Sequence, residues 1–313
     1  MADDPKKVAP RTLFHAEKVK AERRYMRLAQ KVKALVEGIV KNSTGVGELK
    51  DKLRALTNNP TFKQFCEEEV SQIVTMLATG QKKSWRAAAS ASSKGRNIFK
   101  ALMDELKEIP IQSEVNRIIK QNSKLISTVP ADVAEKLSKL AMKRQFQGIR
   151  PEEITKEILE KAPHLTEAQA KRIARTEAGK AATALIQARA KNLGLEFYIW
   201  KTCKDERVRD SHKLMQGVVC RWDDPPDPET LAGEKSAGAY HPHGIYNCRC
   251  EAAIVVDEYD LKFPVRVHRL GSIITVNNLR DFKAMFGIAG EDDSKLYDKN
   301  ERKKRRLFGF GKK

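Results

Sequence analysis

Gly194-Leu-Glu-Phe-Tyr-Ile-Trp-Lys-Thr202 is where the chain changes its period. Upstream, Glu167 to Asn192 is rich in Ala, Lys, Arg and Gln, with apolar residues at helical spacing. Gly194 stands just past this run, where a helix C-cap places glycine. Downstream, Leu195 to Thr202 is aromatic and β-branched, as a strand is. The junction therefore divides a helical part from a sheet-forming part. The fold class that follows is α+β: a long helical N-terminal part, then a small mixed α/β C-terminal domain with a basic disordered tail.

Working outward, Thr166-Glu-Ala-Gln169 has the form of a capping box and predicts a helix start at about Glu167. Pro151-Glu-Glu after Arg150 suits an earlier first turn. Arg11 to Lys41 predicts a helix, broken by Asn42-Ser-Thr-Gly-Val-Gly. A second runs from Glu48 to Thr57, and a third begins near Thr61. Phe62, Phe65, Cys66, Val70, Ile73, Val74 and Leu77 mark the buried face of the third, so Cys66 reads as a small core residue. Trp85 to Leu106 reads as another long helix. On the other side of the junction, Gly217 to Trp222 and Cys248 to Val256 read as strands, separated by a loop from Asp223 to Gly244. Lys262 to His268 and Ser272 to Val276 predict a hairpin turning at Leu270-Gly271, followed by a short helix from Leu279 to Phe286. The expected organisation is a helical partner-docking region (1–109), a helical lead-in (110–195), a Cys/His-containing α+β core (196–258), a hairpin with a short helix (259–289) and a basic flexible tail (290–313).

Charge separates along the same chain. The 313 residues carry a formal net charge of +19. Gln81 to Lys100 holds six Lys/Arg and no acid, and Lys299 to Lys313 holds eight Lys/Arg against one Glu. Arg302, Lys303, Lys304, Arg305, Arg306, Lys312 and Lys313 form a tail with too little apolar surface to order itself. Such a tail either contacts a polyanion, foremost nucleic acid, or only solubilises the chain. No stretch of about 18 apolar residues occurs, so no membrane partner is expected. The charged N-terminus, Met1-Ala-Asp-Asp-Pro-Lys-Lys, predicts no secretory leader. Five cysteines are too few for a disulfide scaffold, and the thiols are expected to stay reduced.

Reactive side chains gather in one place. Cys203, Asp205, Arg207, Arg209, His212, Cys220, His241, His243, Cys248 and Cys250 fall within 48 residues. On a strand, Cys248 and Cys250 share a face, because side chains alternate with period two. Two thiolates with one or two imidazoles make a tetrahedral zinc site, and His212, His241, Cys248 and Cys250 are the candidate ligands of a structural zinc. The competing reading packs the cysteines as small hydrophobes and uses the histidines to cap loops. A third arrangement sets Cys248 or Cys250 with His212 and Asp205 as nucleophile, base and orienter. Arg207 and Arg209 flank Asp205 and are expected to fix a turn by charge-assisted hydrogen bonds. Trp200 and Trp222 read as core anchors. Arg175 and Glu177 on the long helix read as an ion-pair element.

In order along the chain, Ile173-Ala-Arg-Thr-Glu177, Trp200-Lys-Thr, Asp205-Glu-Arg-Val-Arg209, His212 with Leu214 and Gly217, and His241-Pro through Asn247-Cys-Arg-Cys250 resemble the phage head-morphogenesis, or minor capsid, family typified by protein F of phage Mu. Glu114-Val-Asn-Arg-Ile-Ile and Asn122-Ser-Lys-Leu-Ile are similar to its helical lead-in. The resemblance covers about residues 110 to 256 and makes Arg175, Glu177, Trp200, Asp205, Arg207 and Arg209 motif residues. It implies a component of a tailed-phage virion that joins the procapsid with the portal protein, among major capsid and scaffold proteins. Assembly would take place in the host bacterial cytoplasm, with a final place in the capsid interior at the portal vertex. Packaged double-stranded DNA is then the polyanion for the basic segments. Some members carry Cys-x-x-Cys where this chain has Arg209-Asp-Ser-His212, whereas the Cys-Arg-Cys element is intact. No enzymatic activity is implied. The alternative is a virion-delivered enzyme, a metal-dependent nuclease or a cysteine hydrolase, using the Cys/His cluster.

Overall fold

The computed structural model describes residues 14–91, 100 and 111–288. Six helices come first: α1 (His15–Lys41), α2 (Val46–Asn58), α3 (Pro60–Ala91), α4 (Gln112–Ser127), α5 (Val129–Phe146) and α6 (Pro151–Asn192). A mixed sheet region follows, with β1 (Phe197–Lys201), α7 (Asp210–Leu214), β2 (Val219–Arg221), α8 (Pro228–Leu231), β3 (Glu251–Ile254), β4 (Val265–Arg269), β5 (Ser272–Val276) and α9 (Leu279–Phe286). The α+β order read from the sequence is the order of the structure. The basic tail, with Arg302 to Lys313, and most of Ser92 to Pro110 lie outside the described residues.

The helices share one core. Ala21, Tyr25, Leu28, Val32 and Val36 on α1 recur at helical spacing and are buried with Val70, Val74 and Leu77 of α3 and Ala174, Ala178, Ala181 and Leu185 of α6. The run of alanines on α6 lets neighbouring backbones approach closely, and α1 packs along it. This core crosses residue 109, so α1–α3 cover their apolar stripes with α4–α6 of the same chain. Cys66 is fully buried within it, and burial pushes its thiol up to about 12. Inside the core, Asn122 Nδ2 donates to Tyr25 Oη at 2.8 Å, so both polar groups are satisfied.

Two helix expectations are corrected. Thr166 does not start a helix: α6 runs unbroken from Pro151 to Asn192, with Pro163 inside it. Thr166 is fully buried and donates to the Ala162 carbonyl at 2.8 Å, while Gln169 donates to Asp132 of α5 at 2.6 Å. An interior proline costs about 3 kcal/mol. The burial of Ile158, Ala162, Ala170 and Ala174 on both sides of Pro163 outweighs that, so local capping signals lose to packing. Similarly, α3 continues through Trp85 without a new start. The other end of α6 follows its sequence. Leu195 N–H bonds Ala190 O at 2.8 Å and Gly194 N–H bonds Lys191 O at 3.1 Å, with Gly194 at φ +67°, a Schellman cap.

The sheet has the order β3-β1-β2-β4-β5. β1 pairs antiparallel with β2 and β3, β2 pairs parallel with β4 through Val219 and Val267, and β4–β5 is a hairpin. Leu270 and Gly271 turn that hairpin at φ +47° and +75°, the two positive values a tight twisted turn requires. The sheet therefore continues across residue 258 and joins the two C-terminal segments. Period two divides the faces of β1. Tyr198 and Trp200 pack with Ile186 and Ala190 of α6, whereas Phe197 packs with Val267, Val276 and Phe282 on the other side. Across the body, Glu251 of β3 bonds His15 at 2.5 Å and Lys18 at 2.6 Å, tying α1 to the sheet edge. Among the described residues, no helix is long and apolar enough to cross a membrane.

Candidate functional site

The reactive cluster sits where α7 meets the segment leading into β3. Cys248 and Cys250 lie just before Glu251, the first residue of β3, and both thiols still face His212. His212 Nδ1 is 3.3 Å from Cys250 Sγ and 3.7 Å from Cys248 Sγ. All three residues are buried, and their ligand-type atoms lie within 4.8 Å of one another. The one-turn helix α7 aims His212 inward, and its ring packs T-shaped with the Trp200 indole, with centroids 5.5 Å apart at 74°.

The far side of the imidazole is held by a relay. Tyr240 Oη donates to the Glu229 carboxylate, 2.7 and 2.8 Å from its two oxygens, and lies 2.9 Å from His212 Nε2. Tyrosine has one hydroxyl proton, and Glu229 takes it. His212 Nε2 is then the donor to Tyr240, which in the neutral ring leaves Nδ1 as the nitrogen without a proton, facing the two sulfurs. Ser211 Oγ also donates to Glu229, at 3.3 Å. Between the sulfurs, hydrogen bonding from Cys250 holds the Cys248 thiol far below its usual range. The same bond, with burial, pushes Cys250 up. The His243 backbone N–H adds a donor to Cys248 Sγ at 3.3 Å.

His241 is not brought into this group. Its Nδ1 bonds Tyr198 Oη at 3.0 Å, its Nε2 is 3.1 Å from Gln187 Nε2, and its ring packs edge-on to Trp222. Burial lowers its pKa to about 4. His243 bonds the Cys248 carbonyl through Nδ1 at 2.8 Å. Cys203 is exposed and Cys220 is buried, both as free thiols.

Asp205 does not orient His212, so the Cys–His–Asp set is not assembled. Its two oxygens instead take the Arg249 guanidinium, one of them at 2.7 Å, and Oδ1 accepts the Arg207 backbone N–H at 3.1 Å. Arg249 lowers the Asp205 pKa. The turn is thus pinned by Asp205 with Arg249, and the Arg207 side chain is largely exposed, 4.0 Å from Asp205. Arg209 donates to the Tyr246 carbonyl at 3.0 Å and stacks on its ring, 5.0 Å from the centroid. Arg175 is paired at 3.6 Å with Glu22 of α1, and the buried Glu177 at 3.3 Å with Lys180. Trp200 and Trp222 are buried core residues.

Sequence reasoning missed Arg249, Tyr240 and Glu229. Arg249 carried a signal: between two cysteines of an extended segment, it faces the opposite way and finds Asp205. Tyr240 lies in the irregular connection between β2 and β3 and Glu229 on its one-turn helix α8, too short for any periodicity to mark them.

Residues 135–253 match the family described as phage Mu protein F like protein. The matched span runs from α5 through β3 and contains the whole His212–Cys248–Cys250 group. An uncharacterized protein of Haemophilus influenzae is 30% identical over 147 residues, 47% of this chain and 30% of that protein. The chain therefore spans less than a third of the length of this relative. No solved structure matches.

Proposed function

We propose, from the premise that residues 135–253 belong to the phage Mu protein F-like family, that the chain is a minor protein of the phage head that docks on the portal or inner capsid during procapsid assembly. The observation that carries this reading is the coincidence of the family match with one physical unit. The matched span holds α6, three strands of the sheet and the buried His/Cys group, all knit into a single body with α1–α4. The role of this body is to hold a surface in place. The surroundings of His212 are consistent with that role, because its Nε2 is held by Tyr240 and its Nδ1 faces two buried thiols.

The basic segments serve packaged DNA. The tail carries +7 over Lys299 to Lys313. Neutralised phosphates release counterions, so binding is expected to weaken steeply with salt and to show little sequence preference. A gel-shift titration comparing the native chain with one in which Arg302, Lys303, Lys304, Arg305, Arg306, Lys312 and Lys313 are all replaced by Gln tests this. The expected result is weaker binding and a shallower salt slope. Equal affinity and slope would remove DNA contact from the reading. Docking is tested by co-expression with a portal protein from the same phage and co-purification, and no association across a range of ionic strengths would overturn it.

A further inference from the structure

We propose that His212 Nδ1, Cys248 Sγ and Cys250 Sγ are three ligands of one tightly held zinc ion, with Tyr240 and Glu229 as the groups that orient the histidine. This goes beyond the head-assembly reading and does not depend on it.

Geometry carries the inference. A tetrahedral zinc takes sulfur at about 2.3 Å and imidazole nitrogen at about 2.0–2.1 Å. Two such ligands at a tetrahedral angle stand about 3.6 Å apart. The observed separations of Nδ1 from the two sulfurs, 3.3 and 3.7 Å, bracket that value. The histidine is also prepared for the role. A ligating imidazole needs an unprotonated nitrogen toward the metal and a donor bond from the other nitrogen, commonly toward a carboxylate. His212 has both, through Nε2 to Tyr240 and on to Glu229. Soft thiolates with imidazole select zinc over the hard cations.

Among the described residues, no fourth His, Cys, Asp or Glu places a ligand atom within 4.8 Å of all three. The chain therefore supplies three ligands, and water completes the coordination in the isolated protein. Cys248 also lines a cleft of about 460 Å³ whose walls include Lys18, Arg175, Arg207 and Arg249, so the cleft reaches one edge of the cluster. The ion would pin α7 to the start of β3. It would thereby close the long connection from Met215 to Asn247, which has little regular structure of its own beyond β2 and α8.

The test uses the full chain, purified after growth with zinc and dialysed against metal-free buffer. Elemental analysis should find about one zinc per chain. X-ray absorption at the zinc edge should find two sulfurs with the remaining ligands nitrogen or oxygen. Cys203→Ser should keep the metal, and Cys250→Ser should lose it. Tyr240→Phe, which keeps all three ligands, should weaken zinc binding about 10- to 100-fold in a chelator competition. A chain that retains no zinc after loading would overturn the proposal. So would a third sulfur in the coordination shell, or full retention by the Cys250 variant. If Cys250→Ser fails to fold, the sulfur count on the native chain decides.

Discussion

Gly179 of α6 and His243 of the loop before β3 are in direct contact: a Cβ on Gly179 would stand 2.5 Å from His243 Nδ1 and 2.6 Å from its Cγ. The same Nδ1 bonds the Cys248 carbonyl at 2.8 Å. The glycine thus makes the niche in which the loop carrying the cysteines is seated against the long helix.

Gly179→Ala is therefore expected to destabilise the protein although it improves helix propensity. Removing a mid-helix glycine gains about 0.5–1 kcal/mol. Forcing a methyl group into a packed contact costs about 1–3 kcal/mol, and the neighbour here is the buried ring of His243. At Gly38 on the exposed side of α1, a Cβ meets nothing within 4 Å, so Gly38→Ala should stabilise by about 0.5–1 kcal/mol. Urea midpoints of the two variants should move in opposite directions.

Tyr240→Phe removes the hydroxyl between His212 and Glu229 and strips a buried carboxylate of its nearest donor. A loss of about 1–3 kcal/mol is expected in denaturant unfolding of metal-free protein. An unchanged midpoint would show that the relay has no structural weight.

His241 gives a pH signature. Burial first, then the charge of Lys191 on α6, lowers its pKa from 6.5 to about 4, and Tyr198 of β1 bonds its ring. The unfolded chain takes up this proton near pH 6.5, whereas the folded chain refuses it until about 4. Between those values the unfolded state holds more protons, so stability falls as the pH falls. His241→Gln should flatten the stability–pH slope in that window by nearly one proton per molecule. An unaltered slope would place the acid sensitivity elsewhere.

The ion pairs differ by burial. Glu251→Ala leaves Lys18, whose side chain is 11% exposed, facing a lost partner, and about 3 kcal/mol of destabilisation is expected. Glu135→Ala removes a pair to Lys139 whose side chains are 63% and 69% exposed, and it should leave the melting temperature unchanged. Thermal melts of both variants at one ionic strength check the contrast.

Much of the fold was legible because it is local. The stripe from Phe62 to Leu77, the period change at Gly194, the hairpin at Leu270-Gly271 and the short helix from Leu279 all stand in the structure where periodicity and turn chemistry put them. At Thr166 the local signal misled, because the capping residues were used for side-chain bonds within a helix held by its neighbours. The site was legible in part. His212, Cys248 and Cys250 came from the sequence as a chemical set, but so did His241, which the fold sends to Tyr198 and Gln187.

By itself, the sequence determined the order of helices and strands, their apolar faces and the confinement of excess charge to two segments, since each depends on residues near one another in the chain. Only the tertiary structure decided which reactive groups meet. The connection from Asp223 to Arg249 is mostly irregular and has no period to read. Its course is set by what it packs against, α6 at Gly179 and the indole of Trp200, and by its own internal bond from Tyr240 to Glu229.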